Sequence, residues 1–266
     1  MARSRIEARF SLEGYRALVT GGSLSIGRAI ALGLAEAGAD VAIQSAEAAD
    51  DAFGLPGAAA ETEAEITALG RRAMSIRADF SIADAARTCV KQVRNTLGGP
   101  DILVICASVQ SRHDLAAITR DEIDRQVSIN FAATVELLQE VLPAMTSAGW
   151  GRVLSIGSVN QTRPEAQLGV YAALKAAQHN LIMNLARQYA SSGVTINTLS
   201  PGLVATERNR WRRGEPTEWA QIEQHANPMG RAASPDEMVG AAVLLCSPSS
   251  SFITGTDLQV TGGAHL

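Results

Sequence analysis

The sequence predicts one α/β domain built on a doubly wound parallel sheet with helices on both faces, and three observations support that prediction. A chain of 266 residues is long enough to bury one large core. Hydrophobic residues make up 46% of it and aromatic residues only 4%, which indicates a core of Val, Ile, Leu and Ala of the kind that covers a parallel sheet. Apolar runs also alternate with helical stretches along the whole chain, as a doubly wound fold requires.

Seven short apolar runs are predicted to be strands. In chain order they are YRALVTG (15–21), DVAIQS (40–45), a strand within RRAMSIRAD (71–79), DILVICAS (101–108), GRVLSIGS (151–158), VTINTLSPG (194–202) and DLQVTGG (257–263). Their near-continuous apolar character is typical of strands that are buried on both faces of a sheet.

Six helices are predicted between and after these strands. They cover 26–39, 58–70, 81–98, 121–147, 170–191 and 235–247. Gly38 closes the first helix, and Ser81 is the predicted N-cap of the third.

Three segments stand outside this alternation. Residues 1–12 are predicted to be a frayed N-terminal arm, and 46–58 is longer than a strand-to-helix loop needs to be. Residues 203–230 form a long polar insertion that follows the sixth strand. Because a long segment at the carboxyl end of a strand commonly covers a binding site, 203–230 is interpreted as a substrate lid.

Composition narrows the possible partners. A formal net charge of -4 offers no basic surface for nucleic acid, and the apolar runs are too short to span a membrane. The chain shows no signal-peptide pattern, and its three scattered cysteines predict neither a metal site nor a disulfide framework. We therefore expect a cytoplasmic protein without a metal.

A glycine-rich stretch, TGGSLSIG (20–27), lies where the first strand turns into the first helix. Gly21 and Gly22 allow a tight turn, and Gly27 allows the helix to approach closely, so that its N-terminal N–H groups can bind a pyrophosphate. The alternative is a turn that needs glycine for backbone reasons alone, although its position favours a dinucleotide site. Ser25 stands where a third glycine is common.

The choice between NAD and NADP stays open. An acidic residue that would bind the adenosine ribose is expected near Gln44 and Ser45, and neither is acidic. No Arg or Lys lies within several residues of Ser45 to bind a 2′-phosphate, and nearby acids, including Asp50, would repel one if they face the site. Asp79 is either an acceptor for the adenine amino group or a carboxylate at a helix N-terminus.

Tyr171 and Lys175 lie four residues apart in a chain with only three tyrosines. On a helix they share one face, and an ammonium beside a phenol stabilises the phenolate, which makes the phenol a usable general acid or base. The alternative is an amphipathic helix with a buried Tyr and a solvated Lys.

Two further polar residues fit a catalytic site. Ser158 ends the fifth strand, where ligands of open α/β sheets bind, and its hydroxyl could hydrogen-bond a substrate oxygen. Asn130 places an amide within a predicted helix, which by itself is often only a surface position.

Taken in this order and at these separations, TGGSLSIG, Asn130, Ser158, YAALK (171–175) and SPGLVAT (200–206) resemble the short-chain dehydrogenase/reductase family. The resemblance extends from about Tyr15 to Gly263. It implies a Rossmann-like fold and reversible hydride transfer between NAD or NADP and a secondary alcohol or ketone.

The resemblance also implies a role for each residue of the site. Tyr171 would be the general acid/base, Lys175 would favour its deprotonated form and hold the nicotinamide ribose, Ser158 would orient the substrate oxygen, and Asn130 would anchor a water. Pro201 and Gly202 would shape the nicotinamide pocket. The residues implied to bind the cofactor are Gly21, Ser23, Ser25, Ile26, Gly27, Ser45, Asp79, Phe80, Ala107, Tyr171, Lys175, Pro201, Gly202, Val204 and Thr206.

The chain departs from the family pattern at ICAS (105–108), where Asn-Asn-Ala-Gly is usual, and at Ser25 and Leu174. Ser25 in the glycine-rich turn and the ICAS stretch are the only support for an alternative function, a cofactor-binding sensor or structural protein with little activity. A related dehalogenase would carry Arg at the position of Lys175. Because Tyr171 and Lys175 are both present, activity is the expectation.

The substrate and the assembly are less defined. A sugar, polyol, hydroxy acid or 3-oxoacyl compound would fit, and the arginines around Trp211 either bind an anionic substrate or form a solvated face, which is the more common outcome. The family resemblance implies a homotetramer or a homodimer assembled through the two long helices and the last strand.

Overall fold

The computed structural model describes residues 4–266, and in this part of the chain seven parallel strands form one sheet in the order β3-β2-β1-β4-β5-β6-β7. The strands are β1 Arg16–Thr20, β2 Asp40–Ser45, β3 Ala73–Arg77, β4 Ile102–Ile105, β5 Gly151–Ile156, β6 Val194–Pro201 and β7 Asp257–Val260. The strand order reverses between β1 and β4, and a crevice at such a switch point is where open α/β sheets bind their ligands.

Ten α-helices flank the sheet within the same residues. They are α1 Arg5–Phe10, α2 Ser25–Glu36, α3 Glu47–Ala52, α4 Ala58–Ala68, α5 Ala85–Leu97, α6 Arg120–Val127, α7 Ala133–Ala148, α8 Gly169–Tyr189, α9 Pro216–Ala226 and α10 Val239–Cys246. None of the helices described between residues 4 and 266 is both long and apolar enough to span a bilayer.

The hydrophobic core consists of two layers, one on each face of the sheet. On one face α2, α4 and α10 bury residues such as Leu34 and Ile66 against the strands. On the other face α5, α7 and α8 bury residues such as Leu137 and Ile182. Burial on both faces explains why the strands are apolar at nearly every position, and the doubly wound prediction is confirmed.

The predicted helix over 121–147 is interrupted. It consists of α6 and α7 joined by one π-helical turn over Ser128–Ala132. Single π turns inside α-helices are rare, and those that occur are often found at functional sites. This turn contains Asn130, so the amide lies at an irregularity of the backbone rather than on a regular helical face.

The prediction that Ser81 caps the third helix is wrong. Helix α5 begins four residues later at Ala85, with Asp84 at its N-cap in a left-handed conformation (φ 61°). The backbone N–H and the hydroxyl of Ser81 both donate to Asp79, at 2.8 and 2.7 Å. The Ser81 hydroxyl is therefore used in a turn and does not accept from the helix N-terminus.

The predicted N-terminal arm is not frayed over Arg5–Phe10, because Ser4 and Glu7 form a capping box that starts α1. Leu12 is fully buried and its N–H donates to the carbonyl of Ala37, which ties the segment to the domain. Residues 1–3, where the prediction also falls, lie outside the described residues.

The insertion over 203–230 is ordered into a 3₁₀ helix, Glu207–Gly214, followed by α9. Val204 forms a parallel bridge with Ala233, which fixes the start of the segment beside the chain that leaves it. The insertion lies across the carboxyl ends of the strands, since Arg208, Trp211 and His225 line the cavity found there.

Candidate active site

A cavity of about 1640 Å³ opens at the carboxyl ends of the strands. Every sequence-predicted cofactor residue lines it, as do Ser158, Tyr171 and Lys175, whereas Asn130 does not. We call one part of the cavity the β2 end, around Ser23, Ser45 and Asp50, and the opposite part the α8 end, around Ser158, Tyr171, Lys175 and Arg208.

The turn between β1 and α2 has the backbone geometry expected for a phosphate-binding loop. Gly21 has φ 63°, which favours glycine, and a Cβ at Gly27 would lie 2.0 Å from the carbonyl oxygen of Gly21. The helix N-terminus can therefore approach the turn only because position 27 has no side chain. These features fit a nicotinamide dinucleotide, whose pyrophosphate would bind the N–H groups of this turn.

Ser25, the departure in this turn, takes up the backbone conformation that a glycine would have. Its φ is 52°, in the left-handed region, so the substitution does not change the path of the chain. The Ser25 hydroxyl donates to the carboxylate of Glu207, which brings an acidic side chain from the 203–230 segment to the phosphate turn.

At the β2 end, Gln44 and Ser45, the two residues expected to face the adenosine ribose, make different hydrogen bonds. The Gln44 amide is tied into the fold, because its oxygen accepts from Gly21 N–H at 3.0 Å and its nitrogen donates to Ala78 O at 2.6 Å. The polar group facing the cavity is instead Asp50 from α3, which accepts from Ser23 Oγ at 2.8 Å and from the Ser45 hydroxyl.

Asp50 is 6% exposed, and this burial raises the pKa of its carboxyl, although the two serine hydrogen bonds act in the opposite direction. The sequence places the expected ribose acid at the end of β2 and leaves open whether Asp50 faces the site, so it assigns Asp50 no binding role. The sequence does not show which acid of the run Asp50–Asp51 turns inward.

Asp79 lies at the β2 end beside Phe80. Hydrogen bonds from Ser81 lower the pKa of the Asp79 carboxyl. Because α5 begins only at Ala85, Asp79 is not a helix N-terminal carboxylate, and of its two interpretations the adenine acceptor stays a prediction.

At the α8 end, Tyr171 and Lys175 occupy the same buried face of α8, at 6% and 2% exposure. The Lys175 Nζ lies 5.9 Å from the centroid of the Tyr171 ring. Burial lowers the pKa of the Lys175 ammonium to about 8, with a raising effect from Cys106 and a lowering effect from the charge of Arg208. The interpretation of Lys175 as a solvated surface residue is therefore wrong.

Lys175 is held by neutral groups. Its Nζ donates to Ile156 O at 2.7 Å and to Gln178 Oε1 at 3.0 Å. Gln178 Nε2 donates to Thr134 Oγ1 at 2.8 Å, and that hydroxyl contacts the Asn130 carbonyl at 3.3 Å. A continuous buried chain of polar groups thus connects the ammonium with the π turn.

Asn130 itself braces the loop after β4. Its side chain accepts from Val109 N–H and donates to Val109 O, both at 2.8 Å. The amide is therefore bound to the backbone of that loop, while the main-chain carbonyl of Asn130 ends the polar chain from Lys175. Sequence reasoning missed Gln178, although it continues the buried stripe of Ala172 and Lys175 at helical spacing.

Ser158 lies at the end of β5 and lines the cavity. Its hydroxyl oxygen accepts from Asn160 N at 3.1 Å and Asn160 Nδ2 at 3.4 Å. Because both contacts use the oxygen as an acceptor, the Ser158 proton can be donated to a substrate oxygen in the cavity.

Backbone hydrogen bonds hold the ICAS stretch (105–108) in place. Thr20 Oγ1 accepts from the N–H groups of Cys106 and Ala107, at 3.0 and 3.1 Å, so the loop after β4 keeps its place without an asparagine. Burial raises the pKa of the Cys106 thiol, which makes it a poor nucleophile. Ser108 accepts from Arg208 through its carbonyl and its hydroxyl, at 2.8 and 3.1 Å.

The end of β6 completes the cavity wall with Pro201, Gly202, Val204 and Thr206. A Cβ at Gly202 would lie 2.8 Å from the Thr261 carbonyl oxygen, so only glycine lets the chain pass β7 here. Thr206 is nearly buried and begins the 3₁₀ helix of the 203–230 segment.

Comparison with known proteins agrees with this geometry. A family model described as enoyl-(acyl carrier protein) reductase matches residues 21–265. The chain is 35% identical to 2-dehydro-3-deoxy-D-gluconate 5-dehydrogenase of Pseudoalteromonas atlantica, over 96% of this chain and 97% of that one.

Two solved structures are similar over nearly their whole length. A 3-oxoacyl (acyl-carrier-protein) reductase of Agrobacterium tumefaciens C58 with NADP bound is 44% identical, with a TM-score of 0.91 and 97% of each chain covered. A short-chain type dehydrogenase/reductase of Mycobacterium marinum is 29% identical, with a TM-score of 0.84, covering 98% of this chain and 99% of that one. The chain therefore belongs to the short-chain dehydrogenase/reductase family and is an NAD(P)-dependent oxidoreductase that acts on CH–OH or C=O groups.

Proposed function

We propose that Tyr171 is the general acid/base of this oxidoreductase, that Ser158 orients the substrate oxygen, and that Lys175 stabilises the Tyr171 phenolate. The observation that carries the proposal is the meeting of these three side chains in one cavity that also contains the glycine turn of β1. The bound nicotinamide would supply or accept the hydride.

In the direction of reduction, Ser158 donates a hydrogen bond to the substrate carbonyl oxygen and so polarises the C=O bond. As hydride adds to the carbonyl carbon, the Tyr171 hydroxyl transfers its proton to the developing alkoxide, which becomes the alcohol. The phenolate left behind is stabilised by the buried Lys175 ammonium and regains a proton from water. Oxidation of an alcohol follows the same steps in reverse.

Lys175 suits this role because its ammonium is fixed before substrate binds. Two of its three protons are donated to Ile156 O and Gln178 Oε1, which leaves one direction for the phenolate or a ribose hydroxyl. Asn130 would contribute through its main-chain carbonyl, at which the polar chain from Lys175 ends. A water bound there could carry protons between that chain and solvent.

The experiment is a screen of alcohols and ketones with NAD and NADP, followed by absorbance of the reduced nicotinamide, in wild type and Tyr171→Phe. Loss of the phenol proton should lower kcat/KM by about 10³-fold, the usual scale of general acid–base catalysis, while cofactor affinity stays within about twofold. Intrinsic tryptophan fluorescence, to which the cavity-lining Trp211 contributes, reports that affinity. Tyr189→Phe, at the last residue of the same helix and outside the cavity lining, is the matched control.

A wild type that binds the cofactor but turns over nothing across a broad panel would favour the sensor or structural alternative. Activity that survives in Tyr171→Phe would contradict the proposed roles.

The remaining proposals concern the lid, the assembly and the cellular location. We infer that residues 203–230 close over substrate, because Arg208 and Trp211 reach the cavity from this segment.

Met183 on α8 is 48% exposed and Phe252 before β7 is fully exposed, which supports packing of α8 and β7 in a homotetramer or homodimer. Light scattering of the purified protein tests the assembly.

A cytoplasmic location is proposed from the cysteines, since Cys89, Cys106 and Cys246 are all free thiols. Cell fractionation tests it.

A further inference from the structure

We propose that Arg208 binds a carboxylate on the substrate, so that the preferred substrates are hydroxy acids or oxo acids rather than neutral alcohols or ketones. This inference rests on the proposed function, because it places the substrate at the α8 end of the cavity, beside Tyr171 and Ser158.

The first support is the distribution of charge in the cavity. At the α8 end, the cationic side chains that line it are Arg112, Arg163, Lys175, Arg208 and Arg212, and the acidic one is Glu165. The β2 end contains Asp50 and Asp79, with Arg125 near Asp79. The α8 end therefore carries an excess of positive charge that attracts an anion.

The second support is the set of groups that each arginine at the α8 end contacts, of which only the partner of Arg112 is a carboxylate side chain. Arg112 pairs with Glu165 at 2.5 Å, and Arg163 donates to the main-chain oxygens of Ala264 and Leu266 at 2.6 and 2.5 Å. Arg212 lies 5.8 Å from the ring of Trp211. The hydrogen bonds of Arg208 go to the neutral Ser108, and among residues 4–266 neither Arg208 nor Arg212 has a carboxylate side chain within ion-pairing distance. Arg208 differs from Arg212 in being fixed to the loop after β4.

The third support is the position of Arg208. Ser108 lies three residues after the end of β4 and fixes the guanidinium in the cavity that also contains Ser158 and Tyr171. The charge of Arg208 also acts on Lys175 and Cys106, so all three groups share one electrostatic environment. A guanidinium with donors to spare suits a planar carboxylate, which it can bind with two hydrogen bonds.

An anion at Arg208 could in principle come from the cofactor instead, since a pyrophosphate is also an anion. The phosphate turn, however, lies at β1 and α2, where Ser25 is bonded to Glu207, whereas Arg208 is bonded to the loop after β4. A substrate carboxylate is also consistent with the Pseudoalteromonas relative, whose name denotes a sugar-acid dehydrogenase.

The test compares matched substrates in wild type, Arg208→Gln and Arg208→Lys, with Arg210→Gln as the control. Arg210 is exposed on the same 3₁₀ helix and does not line the cavity. The substrate pairs are D-gluconate against D-sorbitol, and 3-hydroxybutyrate against its methyl ester, each with saturating cofactor.

We expect wild type to prefer the acid of a productive pair by about 30-fold in kcat/KM, the scale of a charge-assisted hydrogen bond. Arg208→Gln should remove this preference, mainly through KM of the acid, while the cofactor Kd in the binary complex changes by less than about twofold. Arg208→Lys should restore part of the preference, and Arg210→Gln should leave it unchanged.

Three results would overturn the inference. The first is equal use of both members of every productive pair by wild type. The second is an equal loss of cofactor affinity and substrate affinity in Arg208→Gln, which would assign the arginine to the cofactor phosphates. The third applies if no pair is turned over. It is a calorimetric measurement in which the acids bind the enzyme–cofactor complex no more tightly than their neutral partners.

The proposed function is tested separately by Tyr171→Phe. If neutral alcohols are oxidised in a Tyr171-dependent manner and the acids are not preferred, the proposed function stands and only the carboxylate inference fails. If turnover does not depend on Tyr171, the proposed function fails whichever substrates are preferred.

Discussion

The two ends of the cavity hold buried ionisable groups of opposite charge in the same way. At the β2 end the Asp50 carboxylate is held by the hydroxyls of Ser23 and Ser45. At the α8 end the Lys175 ammonium is held by the Ile156 carbonyl and the Gln178 amide. Neither group has a counter-ion within ion-pairing distance among residues 4–266.

A buried charge without a counter-ion is unfavourable in a folded protein, and it is expected where a ligand completes the site. The β2 end offers a carboxylate, which suits the hydroxyls of a ribose and opposes a phosphate. The α8 end offers cations, which suit a phenolate and an anionic substrate. On the proposed function, one cavity would orient a dinucleotide and a substrate by the sign of its charge at each end.

The largest expected effect is on the stability of the α8 end. The native pKa of Lys175 is about 8, below its ordinary value of 10.5, so between these pH values the unfolded chain holds a proton that the native chain has lost. The free energy of unfolding should therefore rise with pH in this window. From about pH 7 to about pH 10 the gain should be roughly 2 kcal/mol relative to Lys175→Met.

Urea unfolding of wild type and Lys175→Met at both pH values measures this difference. The variant cancels the contributions of other titrating groups, which are common to both proteins. If the free energy of unfolding depended on pH equally in both proteins, burial would not lower the pKa of Lys175.

The second effect concerns the carboxylate of the β2 end. If Asp50 faces the adenosine ribose, its charge repels a 2′-phosphate, and wild type should prefer NAD over NADP by about 30-fold in kcat/KM. Asp50→Asn should reduce that preference to a few-fold, chiefly through weaker repulsion of NADP. The measurement is initial rates with each cofactor at several concentrations.

Asp51→Asn is the control for this prediction, because Asp51 is exposed on the same short helix. The related Agrobacterium structure contains NADP, so the predicted preference of this chain for NAD does not follow from that similarity. Equal use of both cofactors by wild type, or the same change in both variants, would remove Asp50 from the ribose site.

The third effect concerns Gln178, which positions Lys175 without contacting the substrate. Its amide oxygen favours the charged form of Lys175, so Gln178→Leu should lower kcat about 10-fold and move the alkaline limb of the pH–rate profile to lower pH. Gln178→Glu keeps an acceptor at this position and should move the same limb to higher pH.

Gln188→Leu, exposed on the same helix, is the matched control for the change of side chain. A purely structural role of Gln178 would lower the melting temperature without moving the pH profile. That outcome would separate Gln178 from the catalytic machinery.

The smallest effect is at the phosphate turn, between the two ends. Glu207 accepts a hydrogen bond from Ser25 and brings a negative charge to the position expected for the pyrophosphate. Glu207→Gln removes this repulsion and should tighten cofactor binding about threefold. Fluorescence titration checks it with the exposed Glu215→Gln as the control, and an unchanged or higher Kd in Glu207→Gln would contradict it.

Much of this architecture could be predicted from the sequence, because its signals are local. The strands follow from short apolar runs, and the glycine turn at Gly21 and Gly27 follows from backbone needs that few residues satisfy. Tyr171 and Lys175 could be placed on one face because helical spacing alone decides it.

The rest depends on contacts between distant parts of the chain. Ser81 was expected to be a helix cap, but the nearby Asp79 uses its hydroxyl in a turn. Asn130, in the π turn, accepts a hydrogen bond from the N–H of Val109, which lies 21 residues away in the chain. Asp50 turns inward only because Ser23 and Ser45 meet it there, and no periodicity in the sequence encodes that meeting.

The most direct test of the account is a crystal structure of Tyr171→Phe with NAD and a hydroxy acid that wild type oxidises, since this variant is expected to bind both and to oxidise the acid about 10³-fold less efficiently. The account predicts the adenosine ribose at Asp50 and the nicotinamide beside Lys175. It also predicts the reacting hydroxyl between residue 171 and Ser158, and the carboxylate on Arg208. A dinucleotide bound in the opposite direction, or a reacting hydroxyl away from Ser158 and residue 171, would contradict it.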